Sequence, residues 1–265
     1  MELKKDKRLS AAGSDGLYDP AYEHDNCGFG FIANIKGRKS HHLIKQALQI
    51  LGNLDHRGAV GADPQAGDGA GILMQIPDKL LRETMAEGGV CLPGLGRYGV
   101  GMLFIPRQPH LRAFCTKLVE EVAISEGLKI LGWRSVPTDN ACLGESVKPN
   151  EPLIYQIFLR SNGAELDQDV FERKLFVVRK LIENRALLES KIQFQDEIES
   201  FYIASLSTRT LSYKGMVLCN NLDKYYLDLA DSRMDTALAL IHQRFSTNTF
   251  PSWKLAQPFP YLCHN

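Results

Sequence analysis

One cysteine, set between a polar leader and the first apolar stretch, is the strongest chemical candidate in the sequence. Cys27 lies in the stretch NCGFG, residues 26–30, and residues 1–26 before it are polar and rich in charge. Removal of residues 1–26 would make Cys27 the N-terminal residue. Its own α-amino group, with an ordinary pKa of about 7.7–8.0, could then act as a base for the thiol near neutral pH. The pattern therefore predicts an N-terminal cysteine nucleophile.

The same residues also fit a structural cysteine. A free cysteine most often serves as a small buried apolar side chain, here at the start of a strand. Two features favour catalysis instead. Gly28 and Gly30 are expected to leave open space beside the thiol, and the bond between Asn26 and Cys27 suits self-cleavage because the thiol can attack the preceding carbonyl. From the residues alone, the structural and the catalytic interpretation are equally good.

An arginine in a long glycine-rich loop is a second candidate. Arg57 lies within residues 54–71, which are not of low complexity. Long loops inside a compact domain are usually functional or disordered, so we favour a functional loop. Arg57 could serve that function, or it could form a weak ion pair with Asp55 or Asp63.

A second arginine follows a predicted strand and is surrounded by hydroxyl and amide side chains. Arg244 belongs to the stretch HQRFSTNT, residues 242–249. A bidentate arginine with hydroxyl groups beside it suits a substrate carboxylate. A polar loop made of turn-forming side chains is the competing interpretation.

Composition narrows the class of protein. The 265 residues are 44% hydrophobic and 23% charged, with a formal net charge of zero, as in ordinary globular proteins. This balance argues against nucleic acid or an anionic membrane as partner, since both require a basic surface. The six cysteines include no CxxC pair and are not arranged as metal ligands, which favours a reducing, cytoplasmic setting without a metal site. No secretory signal and no bilayer-spanning run is expected.

The spacing of apolar residues predicts an α+β fold with mainly antiparallel sheets. Predicted strands come in adjacent groups with helices singly or in pairs between them, unlike the regular alternation of a parallel sheet. A helix is predicted after Ser40, a suitable N-cap, and the strongest helical stripe covers residues 168–185. Further helices are predicted near Pro77 and around residues 111–122. The predicted strands are 28–35, 72–76, 100–105, 130–136, 153–159, 201–206, 210–218 with a break at Lys214-Gly215, and 236–244.

Several stretches together resemble a known family. They occur in family order, and they are CGFG (27–30), LDHRGAVGAD (54–63), GDGAG (67–71), YKGM (213–216), HQRFSTNT (242–249) and PFPYLCHN (258–265). With them the chain resembles the N-terminal glutaminase domain of the glutamate synthase large chain, a class II glutamine amidotransferase. This domain is an N-terminal nucleophile hydrolase.

The resemblance implies a role for five residues. Cys27 would be the nucleophile that hydrolyses L-glutamine to L-glutamate and ammonia through a thioester. Arg244 and Thr247 match the positions that hold the glutamine carboxylate, and Arg57 matches the arginine beside the nucleophile. Asn265 matches the asparagine that forms half of the oxyanion hole.

The resemblance also implies an architecture and domain limits. The expected fold is a four-layer αββα sandwich of mainly antiparallel sheets, the N-terminal nucleophile hydrolase type. Residues 1–26 are expected to be a leader or propeptide, and residues 27–265 a type 2 amidotransferase domain. That domain is expected to be truncated at its C-terminus, because the family's oxyanion-hole glycine follows the position of Asn265.

Partners and cofactors follow from the same resemblance. L-Glutamine and a synthase domain further along the same polypeptide are the expected partners, with no nucleic acid and no membrane. No cofactor is expected in residues 1–265, whereas FMN and an iron–sulfur cluster are expected in the rest of a family member. Two rivals stay open: another class II amidotransferase, serving a sugar phosphate or a purine precursor, and a non-catalytic module in which the leader is never removed.

Overall fold

The computed structural model describes residues 28–58, 63–194, 200–245 and 250–260, and these contain eight strands and five helices. The strands are β1 (Phe29–Ala33), β2 (Ala70–Gln75), β3 (Gly99–Ile105), β4 (Leu128–Ser135), β5 (Leu153–Ser161), β6 (Tyr202–Ser207), β7 (Thr210–Gly215) and β8 (Leu238–Gln243). The helices are α1 (His41–Asn53), α2 (Asp78–Glu87), α3 (Pro109–Ser125), α4 (Gln168–Phe194) and α5 (Leu222–Tyr225).

The first sheet joins strands that are far apart in the chain. Its order is β1-β8-β2-β7, and every neighbouring pair is antiparallel. Ala70 at the start of β2 lies opposite Gln243 at the end of β8 and opposite Gly215 at the end of β7. Because neighbours alternate in direction, the starts of β1 and β2 and the ends of β7 and β8 meet at one edge of this sheet.

The second sheet has the order β4-β5-β3-β6 and is also antiparallel throughout. Its central strand β3 is fully buried along its length, as expected for a strand covered on both faces. The prediction of an α+β fold with mainly antiparallel sheets is confirmed.

The first apolar core unites both sheets with α1 and α2. Helix α1 begins where predicted: the Ser40 hydroxyl accepts the Leu43 N–H at 3.3 Å, which satisfies a donor that the first turn leaves open. Its buried stripe, Leu43, Ile44, Ala47 and Leu51, follows the helical period. In the same core lie alternate residues of the sheets, among them Ile72 of β2 and Val100 of β3.

The second apolar core covers the other face of the second sheet. Leu103 and Ile105, which alternate with Val100 and the other inward residues of β3, pack there against α3 and α4. The two cores give each face of the second sheet its own apolar cover.

A buried polar network links the two sheets. Gln156 of β5 donates to the Tyr213 hydroxyl of β7 at 3.2 Å, and that hydroxyl donates to Asp228 at 2.8 Å. The Asp228 carboxylate also pairs with the Arg134 guanidinium through bonds of 2.7 and 2.6 Å. Buried polar groups are tolerated when they are hydrogen-bonded, and here each is.

Two predicted boundaries are wrong in an instructive way. The strand predicted over residues 210–218 ends at Gly215, at the predicted break, and does not resume over residues 216–218, while Lys214 still pairs with Gly71 inside the ladder. Helix α4 runs to Phe194, past the predicted limit of Arg185, and Arg185 makes an ion pair of 2.7 Å with Glu189 one turn later.

Within the described ranges, none of the helices combines the length and the apolar character needed to cross a bilayer.

Candidate active site

Two candidate residues, Arg57 and Arg244, lie near the edge of the first sheet where β1 and β2 start and β7 and β8 end. The Gln243 N–H, at the end of β8, donates to the Gly28 carbonyl at 2.6 Å. The next N–H, that of Arg244, donates to the Gly69 carbonyl at 2.9 Å. We call this place, formed by Gly28, Gly69 and Arg244, the site edge.

Gly28 and Gly30 are needed for close packing and do not leave open space, so that expectation is wrong. A Cβ on Gly28 would overlap the backbone oxygen of Gln243. A Cβ on Gly30 would lie 2.8 Å from the side chain of Ile50 on α1. The glycine after Cys27 therefore lets β8 approach the start of β1 and fixes the backbone next to that cysteine.

The turn that carries Arg57 reaches the site edge through Gln243. Asp55–Arg57 form a 3-10 turn, in which the Arg57 N–H donates to the Leu54 carbonyl at 2.7 Å. A Cβ on the following Gly58 would come within 2.5 Å of the Gln243 side-chain nitrogen. The turn thus lies directly against the last residue of β8.

The two carboxylates proposed as ion-pair partners of Arg57 have other hydrogen-bond partners. Asp55 accepts from the Cys219 thiol at 3.1 Å, and burial, followed by Asp55 itself, raises the pKa of that thiol to about 12. Asp63 accepts from the Ser146 N–H at 3.0 Å and from the Ser146 hydroxyl at 2.8 Å. Both carboxylates fix the loops on either side of Arg57.

Three ionisable side chains, Arg244, Asp68 and His242, set the electrostatics of the site edge. Arg244 and Asp68 are each only 8% exposed. Burial lowers the pKa of Arg244, and the Asp68 carboxylate opposes that shift. Burial, and after it the Arg244 charge, lowers the pKa of His242 to about 4. At neutral pH the site edge therefore holds a cationic arginine, an acid beside it and an uncharged imidazole.

Residues 253–256, in the next described part of the chain, lie at the same edge. Gly69 has a φ of +120°, and a Cβ there would lie 2.9 Å from the Ala256 side chain. A Cβ on Gly215 would overlap the Trp253 ring. Residues 253–256 therefore cover the start of β2 and the end of β7. Position 69 requires a glycine because its φ is positive and because Ala256 occupies the space that a Cβ would need.

Comparison with known proteins gives this arrangement a family. Residues 27–265 match the model of the family described as glutamine amidotransferases class-II. The chain belongs to the class II glutamine amidotransferases. The match begins at Cys27, the residue that the sequence singled out.

Curated relatives of this amidotransferase chain are glutamate synthases. The NADPH glutamate synthase large chain of Bacillus subtilis is 42% identical over 95% of the chain, which spans 16% of that relative. The ferredoxin-dependent glutamate synthase 2 of a Synechocystis species is 42% identical over 92% of the chain and 15% of its own length. The NADH glutamate synthase of Schizosaccharomyces pombe is 40% identical over 95% of the chain and 12% of its own length. The chain thus spans less than a fifth of each of these relatives.

Of the five predicted site residues, Arg57 and Arg244 lie in the described part of the amidotransferase chain, and the structure brings their backbones to one edge. Cys27, Thr247 and Asn265 lie outside the described residues. In the sequence, Cys27 directly precedes Gly28, and Thr247 follows Arg244 by three positions.

Sequence reasoning gave no role to Asp68 or His242. Both lie in stretches that carried the resemblance, GDGAG and HQRFSTNT, so they were visible as motif members. Their chemical importance comes from burial beside Arg244, which only the folded chain shows. In the part of the amidotransferase that the structure describes, no three His, Cys, Asp or Glu side chains are grouped as metal ligands.

Proposed function

We propose that the chain is the glutaminase part of a glutamate synthase, hydrolysing L-glutamine to L-glutamate and ammonia at Cys27. The observation that carries this proposal is the hydrogen bond of 2.6 Å from Gln243 to Gly28. It ties the residue after the nucleophile to the residue before Arg244. Identity of 40–42% to three glutamate synthases supports the same reaction.

Cys27 acts as an N-terminal nucleophile in this proposal. Removal of residues 1–26 frees its α-amino group, which takes the thiol proton. The thiolate attacks the side-chain amide carbon of glutamine, and the tetrahedral intermediate collapses with loss of ammonia once the nitrogen has accepted a proton. Water then hydrolyses the thioester, which releases glutamate and restores the thiol.

Arg244 and Thr247 hold the substrate carboxylate. A buried guanidinium forms strong bidentate bonds to a carboxylate, and the low exposure of Arg244 strengthens them. The Asp68 carboxylate, whose charge opposes the lowering of the Arg244 pKa, balances the guanidinium charge when the substrate is absent. Arg57 completes the wall of the site beside the nucleophile.

Asn265 supplies one donor to the oxyanion that forms in each half of the reaction. In other enzymes the loss of one such donor costs about 2.7–4 kcal/mol of transition-state stabilisation. The second donor in the family is the backbone N–H of the following residue.

The fold proposed for the amidotransferase domain, residues 27–265, is the four-layer αββα sandwich of N-terminal nucleophile hydrolases, with residues 1–26 as its leader. Helices α3 and α4 on one face of the second sheet support one outer layer. Four described cysteines, Cys91, Cys115, Cys142 and Cys219, are free thiols, as a cytoplasmic setting would maintain.

The ammonia is proposed to pass to a synthase domain of the same polypeptide. FMN and an iron–sulfur cluster belong to that domain in this proposal, and the described site edge works without them. The three relatives are named for NADPH, ferredoxin and NADH, so the family permits different electron donors.

The decisive experiment compares the mature whole protein with its Cys27→Ala variant. Intact mass should show that the mature protein starts at Cys27, and ammonia release from glutamine should fall at least about 1,000-fold in the variant, because the covalent route is lost. Ammonia supplied directly should still be converted to glutamate by both proteins.

Cys91→Ala is the matched control, because Cys91 is a free and exposed thiol. It should leave ammonia release unchanged. Retention of residues 1–26 in an active protein, or normal ammonia release by Cys27→Ala, would overturn the proposal. Transfer of ammonia to a sugar phosphate in place of 2-oxoglutarate would move the chain to another class II amidotransferase.

A further inference from the structure

A fully buried lysine lies beside the site edge and has no place in the proposed chemistry. Lys214, in β7, is 0% exposed. Its ammonium nitrogen donates to the Ala256 carbonyl at 2.7 Å and to the Lys254 carbonyl at 3.2 Å. The two acceptors belong to residues 253–256, which cover the start of β2 and the end of β7.

Aromatic rings complete the surroundings of this lysine. Its nitrogen lies 4.1 Å from the centre of the Phe259 ring and 4.6 Å from that of Tyr202. Burial, and after it the charges of Arg179 and Arg244, holds the pKa of Lys214 well below its ordinary value. A buried amine is costly unless its donors are used, and here the carbonyls and ring faces use them.

The segment held by Lys214 touches the backbone that carries Arg244. Ala256 would lie 2.9 Å from a Cβ on Gly69, and the Gly69 carbonyl accepts the Arg244 N–H at 2.9 Å. A Cβ on Gly71, the residue opposite Lys214, would overlap the Gln257 carbonyl. A short chain of contacts therefore runs from the lysine through Ala256 and Gly69 to the arginine.

We propose that Lys214 is a positioning residue, whose amine ties residues 254–259 to β7 and so sets the substrate-binding geometry of Arg244. This inference rests on the proposed function, because it assigns Arg244 to the glutamine carboxylate. The amine supplies donors to two carbonyls that an apolar side chain would leave unpaired.

Both apolar cores are built from other residues, so we expect the fold to form without this lysine. A methionine of similar length should fill the space between the two rings. The variant Lys214→Met therefore separates positioning from folding.

The test uses the mature whole protein and measures glutamine hydrolysis. Lys214→Met is expected to raise the KM for glutamine about tenfold, because the Gly69 backbone under Arg244 loses its support. A glutamine analogue with an alkylating group titrates the reactive Cys27 thiols, so that a smaller folded fraction lowers the titre and leaves KM unchanged. A KM within twofold of that of the wild type would overturn the inference.

Two controls make the result specific. Lys129→Met alters an exposed lysine of β4 and should leave KM unchanged. Val119→Ala weakens the second core and should lower the melting temperature without raising KM. A rise in KM for Val119→Ala as large as that for Lys214→Met would contradict positioning.

If Lys214→Met does not fold, Lys214→Gln is the second variant to test, because its amide keeps an N–H donor. Its KM for glutamine should still rise about threefold. Failure of both variants to fold would also overturn the inference, which holds that the cores form without the lysine. Absence of glutamine hydrolysis by the wild-type protein would instead refute the proposed function, so the two failures are distinguishable.

Discussion

Two buried basic side chains of this amidotransferase chain have different kinds of hydrogen-bond partner. Arg134 forms a bidentate pair with Asp228, and the side chains of both are less than 10% exposed. Lys214, which is fully buried, donates to two backbone carbonyls and lies between two rings. The first is paired with a carboxylate, whereas the second is held by backbone carbonyls, and burial together with the charges of Arg179 and Arg244 keeps its pKa well below the ordinary value.

The difference separates a structural region from a functional one. The Arg134 network joins the two sheets. Its cation and its carboxylate neutralise each other, so the network needs no ligand. The site edge brings together Lys214 and Arg244, while Asp68 is the acid that opposes the pKa shift of the arginine. A buried arginine at this edge suits an anionic group such as a substrate carboxylate.

The largest effect should come from breaking the structural pair. Arg134→Met leaves the Asp228 carboxylate buried without its cation, and we expect a loss of about 3–5 kcal/mol in the free energy of unfolding. The KM for glutamine should stay within twofold, because the pair does not touch the site edge. Urea unfolding and steady-state glutaminase assays measure the two quantities.

The matched control is the double variant Arg134→Met with Asp228→Asn. Removing both charges should recover part of the lost stability, because no unpaired charge remains. A KM that rises in step with the stability loss would erase the distinction between the two regions.

A smaller effect, confined to activity, is expected from Arg244→Lys. The lysine keeps the charge but cannot form two parallel bonds to a carboxylate, so the KM for glutamine should rise about 10–100-fold, with a much smaller change in kcat. The free energy of unfolding should change by less than about 1 kcal/mol.

Arg209→Lys is the control for this substitution. Arg209 is an exposed arginine that pairs with Asp169 at the turn between β6 and β7, away from the site edge. It should leave KM unchanged. An unaltered KM in Arg244→Lys would refute the assignment of the substrate carboxylate to this edge.

The sequence predicts the regular elements well and the site only through its motifs. Helix α1 and its cap follow from Ser40 and the apolar stripe behind it, because these signals are local. The break predicted at Lys214-Gly215 coincides with the end of β7, but a charged residue beside a glycine gives no sign that Lys214 is a fully buried strand residue. Only the distant partners of Lys214, above all Ala256, make its burial possible.

The same limit applies to the candidate site. Arg57 and Arg244 could be selected by residue type and setting, but their meeting depends on the order β1-β8-β2-β7, which links residues about 200 positions apart. The wrong expectation of open space at Gly28 and Gly30 also arises because tertiary packing is not visible in the sequence. A glycine shows that a side chain is absent, whereas the neighbouring strand or helix that takes its space is set by tertiary packing.

The smallest expected effect concerns pH and tests the electrostatics of the site edge. His242 has a folded pKa of about 4, below an ordinary value of about 6.5. Between these values the unfolded chain binds a proton that the folded chain does not, so stability from this residue is full above about pH 6.5 and is lost as pH falls towards 4. Because the ring is only partly buried, we expect a loss of about 1–2 kcal/mol.

His242→Gln isolates this contribution, since glutamine does not titrate in this range. The wild type should lose stability more steeply than the variant between pH 6.5 and pH 4, and the two curves should run parallel above pH 7, as measured by urea unfolding. Parallel curves over the whole range would mean that the ring is not held neutral by burial and by Arg244. The site edge would then lack the positive potential that distinguishes it from the Arg134 network.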